Sequence, residues 1–206
     1  MRKLALALTL VLSSVVPLAA QATTTIDRQN ILGNSAYATW DYTQGNIGTF
    51  VSVVLTTQTG TSPDHFLTLL ISQYEISTGN VLIDGRAETD NFTITFDPQL
   101  ASATLHVSNA IFEDESSFTF FNADIDLTWT ATSDLTSQNF HDHFRVPGMV
   151  FNSHFRGTFR DATATGSILG KSVPNRGDLQ FAPVPSSMGQ LQSNQFGSID
   201  VTIGSP

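Results

Sequence analysis

Apolar and polar residues alternate with a period of two along most of this chain. Ala36, Ala38, Trp40 and Tyr42 share one face of an extended segment, and the turn Thr43-Gln44-Gly45-Asn46 follows. Segments 47–57 and 65–76 carry apolar residues on both faces, as strands inside a sheet do, with a loop expected over 58–64. Phe92, Ile94 and Phe96 alternate with threonines. So do Ala103, Leu105 and Val107, here with Thr104 and His106 between them. Phe121, Ala123, Ile125, Leu127 and Trp129 face one way, while Asn122, Asp124, Asp126 and Thr128 face the other. Phe118 and Phe120 fall out of phase with that strand, which predicts a bulge near Phe120. Shorter strands are expected over 81–86, 162–168, 179–181 and 198–203. Residues 171–196, rich in Pro, Gly and Ser, read as rim loops. No stretch of ten residues has helical periodicity.

This pattern predicts an all-β, single-domain β-sandwich, jelly-roll-like, of about ten to twelve antiparallel strands, with a closed β-barrel as the alternative. No second domain, linker or fixed-period repeat interrupts it.

The N-terminus departs from the pattern. Met1-Arg2-Lys3 is basic, an apolar run extends from Leu4 to Val16, and Ala20-Gln21-Ala22 has the small-x-small form of a cleavage site. This is the grammar of a signal peptide, and the run is shorter than the roughly 20 residues that span a bilayer. Residues 1–22 are therefore expected to be removed after Ala22. That leaves a domain over 23–206 that is secreted or periplasmic, with no membrane span. The chain has no cysteine, so neither disulfides nor thiol-linked lipid enter the picture.

Charge narrows the partners. Residues 23–206 carry seven basic against eighteen acidic side chains, a net −11. The imbalance lies in 23–138, with two arginines against fourteen acids. Residues 139–206 have five basic residues against four acids. So negative a field disfavours nucleic acid, whose binding rests on phosphate neutralisation. It is compatible with calcium, with cationic partners or with solubility alone; the partner expected of such a module is a glycan or a protein ligand.

Candidate chemistry concentrates in segment 139–156, which holds three of the five histidines. A hairpin about Pro147-Gly148 brings the phenylalanine faces of its two strands together when paired residue numbers sum to an odd value, and the tightest such register sets Val146 opposite Met149, Phe144 opposite Phe151 and Phe140 opposite Phe155. That register sets His141 opposite His154 and His143 opposite Asn152 on the other face, beside Arg145 and Arg156. A His-x-His pair with a third imidazole on the neighbouring strand can bind Zn²⁺ with one position left open. Asn139 and Asn152 are candidates to orient the rings. The same His, Asn and Arg residues equally suit a solvated face. Arg145, Asn152 and Arg156 then form a polar binding patch, and Arg160 adds to the positive charge.

Weaker signals lie elsewhere. Glu113, Asp114 and Glu115, or Asp124 and Asp126, are oxygen donors without a calcium-loop pattern. Trp40 and Trp129 fall in phase with apolar faces and read as core. Asn91-Phe92-Thr93 matches a glycosylation sequon. No Gly-x-Ser-x-Gly, His-Glu-x-x-His or phosphate-loop motif occurs. The sequence thus favours a non-catalytic extracellular binding or structural module with no required cofactor. The alternative is a metal-dependent enzyme or metal-binding protein built on His141, His143 and His154.

Overall fold

The computed structural model describes residues 24–60 and 64–203, with side chains described over 32–59 and 65–203. The leader read over residues 1–22 lies outside the described residues. Eleven strands form in chain order: β1 (Thr24–Gln44), β2 (Ile47–Gly60), β3 (Asp64–Glu75), β4 (Val81–Thr89), β5 (Thr93–Phe96), β6 (Ser102–Asp114), β7 (Thr119–Ala131), β8 (Thr136–Val146), β9 (Met149–Val173), β10 (Gly177–Phe181) and β11 (Met188–Ile203). All pairings are antiparallel, and there is no helix among the described residues. The strands make one hydrogen-bonded sheet. Its path runs β1-β2-β3-β4-β6-β7-β9-β11 and returns to β1, so eight strands close a ring.

Alternation decides what lies inside the ring. Ala36, Ala38 and Trp40 on β1, Val51, Val53 and Leu55 on β2, and Leu67, Leu69 and Ile71 on β3 all point inward and are buried. Ala103, Leu105 and Val107 on β6 and Phe121 through Trp129 in steps of two on β7 complete the same cluster. Both tryptophans are fully buried, as their phase predicts. Each indole satisfies its N–H on a carbonyl: Trp40 Nε1 donates to Val184 O at 2.9 Å, and Trp129 Nε1 donates to Tyr37 O at 2.9 Å. A buried indole without such an acceptor would leave a costly unpaired donor.

Polar residues close the two ends. At one, Gln73 Nε2 donates to Thr49 Oγ1 at 3.0 Å and Arg176 Nη1 donates to Gln73 Oε1 at 3.1 Å. Tyr42 lies partly buried nearby, and burial raises its pKa against opposing hydrogen bonds with Thr49 and Ala182. At the other, Arg160 Nε donates to Gln99 O and Nη1 to Ser133 O, each at 3.1 Å, tying two loops together. Arg160 is therefore a structural tie.

The seam between β4 and β6 has only two residue pairs, Gly85 with Asp114 and Arg86 with Glu113. The Asp114 carboxylate reinforces it. Its Oδ1 accepts from the Asp84 N–H at 3.0 Å, the Ser116 N–H at 3.1 Å and the Ser116 hydroxyl at 2.7 Å; its Oδ2 accepts from the Ser117 hydroxyl at 2.7 Å. The Glu115 N–H adds a bond to Asp84 O at 2.9 Å.

Three expectations change. The 171–196 region is not all loop, because β10 and half of β11 fall within it. The strands expected around 149–159 and over 162–168 are one strand, the 25-residue β9. The bulge expected near Phe120 sits instead on β6, where the register shifts between Val107 and Ala110; Phe118 and Phe120 simply face solvent, 86% and 66% exposed.

Asp114 generates a prediction. Burial pushes its carboxyl pKa up, but the hydrogen bonds from Asp84, Ser117 and Ser116 outweigh that and hold it below the ordinary 3.8. A lowered folded-state pKa gives stability that is fully present above the unfolded value and lost as pH falls through the folded one. Asp114→Asn is expected to lower stability by about 2–4 kcal/mol in urea unfolding at pH 7, since hydrogen bonds to a charged group contribute about 1.5–3 kcal/mol. The gap between variant and wild type should shrink as pH is taken below 3.8. A gap that stays constant with pH would show that ionisation of Asp114 is not involved.

Candidate functional site

Past the ring, β9, β11, β1 and the end of β2 continue as an extension. There β8 takes the place beside β9 that β7 holds within the ring: β7 pairs with residues 162–171 of β9, and β8 pairs with 149–159. The β8–β9 register is the tightest one that matches the phenylalanine faces, as expected. Val146 faces Met149, Phe144 faces Phe151, Phe140 faces Phe155, His141 faces His154 and His143 faces Asn152. Gly148 has φ +81°, which Pro147-Gly148 accommodates in a tight turn.

The two faces of this extension differ in chemistry. One carries Phe140, Phe144, Phe151 and Phe155, with Ile199 and Val201 of β11 opposite β9. Phe140 and Phe144 are 48% and 51% exposed. A shallow groove of about 240 Å³ opens here, lined by Gln138, Phe140, Phe155, Gly157, Gln192 and Asn194. The other face carries His141, His143, Arg145, Asn152, His154 and Arg156. It is in phase along β9 with Arg160 and the buried Ala162 and Ala164, so it continues the inner wall of the ring.

Each predicted site residue is accounted for. The rings of His141 and His154 meet edge to face, with centroids 5.8 Å apart. His154 also meets Phe196 at 5.0 Å, and its Nε2 lies 3.0 Å from Asn139 Oδ1. His143 Nδ1 lies 2.6 Å from Asn152 Oδ1. Both asparagine carboxamides accept from imidazole N–H groups, so they orient the rings. Arg145 and Arg156 are exposed. Among the described residues no group of three His, Cys, Asp or Glu side chains is placed to hold a metal ion. His141 and His154 come together as read; His143 is engaged with Asn152.

The remaining histidines lie apart from the extension. His65 stacks on Phe92, with centroids 4.0 Å apart and the planes nearly parallel. His106, on the outer wall of the ring, faces Asp126 across β6 and β7. His106 Nδ1 lies 2.6 Å from Asp126 Oδ1, and His106 Nε2 lies 3.1 Å from the Ser108 hydroxyl. The chain alternation alone puts His106 and Asp126 outward on their strands. Finding them opposite each other needs the register between β6 and β7.

No family model, curated protein or solved structure matches the chain.

Gly157 joins the two parts of β9, and the close approach of β11 depends on it. A Cβ there would lie 2.4 Å from the backbone oxygen of Ser193. Gly157→Ala should therefore lower the urea midpoint by an amount corresponding to about 1–3 kcal/mol, the usual cost of overpacking. The same substitution at Gly45, whose Cβ would meet nothing within 4 Å, should cost only the strain of its positive φ. Equal effects at the two sites would contradict this packing argument.

Proposed function

We propose that the protein is an exported binding module that recognises an extended polypeptide segment along β8. The observation that carries this reading is the exposure of β8. Ten consecutive residues, Thr136 to Arg145, are exposed on both faces, and β8 pairs with β9 alone among the described strands. A sheet edge offers unpaired N–H and C=O groups, which an added strand can satisfy. Main-chain pairing then gives affinity, and the alternating side chains give selectivity. Phe140 and Phe144 offer apolar contacts on one face, with the 240 Å³ groove beside Phe140. His141, His143, Arg145 and Arg156 offer donors and positive charge on the other, within an otherwise acidic chain. A partner strand with apolar residues at alternate positions and carboxylates between them fits both faces.

The test uses dodecapeptides selected from a random display library on the purified protein. Selected peptides are expected to show period-two apolar patterning and to bind Phe140→Lys/Phe144→Lys at least about tenfold more weakly, a loss of 1.4 kcal/mol or more. Equal binding to wild type and variant, or selective binding on a glycan array with none to peptides, would overturn the reading.

The pairing of His141 with His154 supports a second reading, a Zn²⁺ site on His141, His143 and His154. With Asn152 and Asn139 orienting two of these rings, zinc would have to take the opposite ring nitrogens, His143 Nε2 and His154 Nδ1. Elemental analysis of untagged protein purified without chelators is expected, on this reading, to give stoichiometric zinc that is lost in His141→Ala/His154→Ala. Absence of zinc after incubation with the ion at neutral pH would remove it.

A further inference from the structure

A chain of hydrogen bonds on the outer wall, away from the extension, joins a carboxylate, an imidazole and a hydroxyl. Asp126 Oδ1 lies 2.6 Å from His106 Nδ1, and the Ser108 hydroxyl lies 3.1 Å from His106 Nε2. An ionised carboxylate only accepts, so Nδ1 carries a ring proton, and in the neutral ring Nε2 accepts the Ser108 O–H. The two contacts thus sit on opposite ends of the ring, in the order that activates a serine.

The backbone around Ser108 is unusual in a way that matters. Residues two apart on a regular strand are separated by roughly 6.6 Å of rise. Here the β6 register shifts between Val107 and Ala110, so Ser108 and Asn109 both lie on the outer side. Asn109 has φ +56°, in the left-handed region, and its N–H donates to Asp124 Oδ1 at 2.9 Å. Lys171 of β9 forms an ion pair with the Asp124 carboxylate. The bulge that brings the Ser108 hydroxyl to His106 is therefore pinned by contacts from two further strands. Bulges commonly re-aim side chains in this way beside functional sites, and strain of this kind persists only where its surroundings hold it. The wall nearby exposes apolar side chains: Ile111 is 65% exposed, Phe120 66% and Leu169 44%.

We propose that Ser108 and His106 are catalytic residues of a carboxylic-ester hydrolase site and that Asp126 is their positioning residue. This goes beyond the strand-binding reading and sets aside the non-catalytic expectation drawn from the sequence. Ser108 Oγ attacks the ester carbonyl carbon, and its proton passes to His106 Nε2. The tetrahedral intermediate collapses with cleavage of the carbon–oxygen bond to the leaving alcohol, which takes the proton from His106. Water then attacks the acyl-serine, giving its proton to His106. Collapse of the second intermediate breaks the bond to Ser108, which recovers the proton, and releases the carboxylic acid. Ester and water are consumed; alcohol and acid are formed. Asp126 holds the tautomer and faces the imidazolium formed in each half. The site lies on an open wall, so the substrate class it fits is an ester presented at a surface or carried on a flexible chain, with an apolar acyl group against Ile111 and Leu169.

The test treats the purified protein with a fluorophosphonate, which transfers phosphorus to an activated serine with loss of fluoride, and locates the adduct by peptide mass spectrometry. Hydrolysis of p-nitrophenyl butyrate is measured in parallel. The expected result is an adduct on Ser108 and ester hydrolysis abolished in Ser108→Ala, with both rates at least about 100-fold lower in His106→Ala, the scale of general-base catalysis. Asp126→Asn should lower kcat with KM unchanged, and Asp126→Glu should restore part of it, which a purely structural role for the carboxylate would not do. The three residues substituted or labelled, His106, Ser108 and Asp126, lie in exposed wall positions, and circular dichroism checks that each variant is folded. No adduct, an adduct at another serine, or labelling unaffected by His106→Ala would overturn the proposal.

Discussion

The ring depends on the Asp114 carboxylate. Strands β4 and β6 meet through only two residue pairs, whereas every other junction of the ring has a longer ladder. A single buried side chain gathers the Asp84 and Ser116 N–H groups and the hydroxyls of Ser116 and Ser117. It performs the work that backbone carbonyls perform elsewhere. The cost is a carboxylate taken largely out of water, and hydrogen bonding to the charged form offsets it. Beside it Gly85 leaves room for Phe112 and Phe121, whose rings stack 5.0 Å apart. The narrow seam, the buried acid and the stacked pair are one arrangement.

Alanines, branched residues and two tryptophans lie inside the ring, and arginine side chains tie polar contacts at both ends. The candidate sites lie on its outer wall and on the extension. The two locations differ in what holds them. On the wall, a bulge fixed by Asp124 and Lys171 aims a hydroxyl at an imidazole. On the extension, carboxamides aim imidazoles across a strand pair while the backbone edge of β8 stays open.

Much of this was legible where one face of a strand must be buried. The phenylalanines of 140–155 fix the parity of the register and the tight turn at Pro147-Gly148 fixes the rest, so the opposition of His141 to His154 followed from residues that take no part in it. The phases of Trp40 and Trp129 placed both in the core for the same reason. What escaped reading were features that alternation does not encode. The first half of β11 has a single buried apolar residue, Leu191, among Gly189, Gln190, Gln192, Ser193 and Asn194, so no period marks it. Asp114 looked like part of a charged turn, because the partners that justify burying it come from Asp84, thirty residues away. Phe118 and Phe120 broke the phase of β7, and a bulge beside them was the economical repair; the irregularity belongs to the partner strand, where Ser108 and Asn109 are both polar and leave no apolar signature.

Strands β1 and β11 are neighbours, Thr24 lying beside Ile203 and Ala36 beside Leu191. The first strand to be made therefore waits for the last before one of its edges is covered, and the Trp129 bond to Tyr37 cannot form until 92 further residues have followed. Contacts of such long sequence separation make folding slow relative to chains dominated by local pairing. They also leave sticky intermediates in the meantime. The ring can close only once β11 lies between β1 and β9, so its completion belongs to the last strand described.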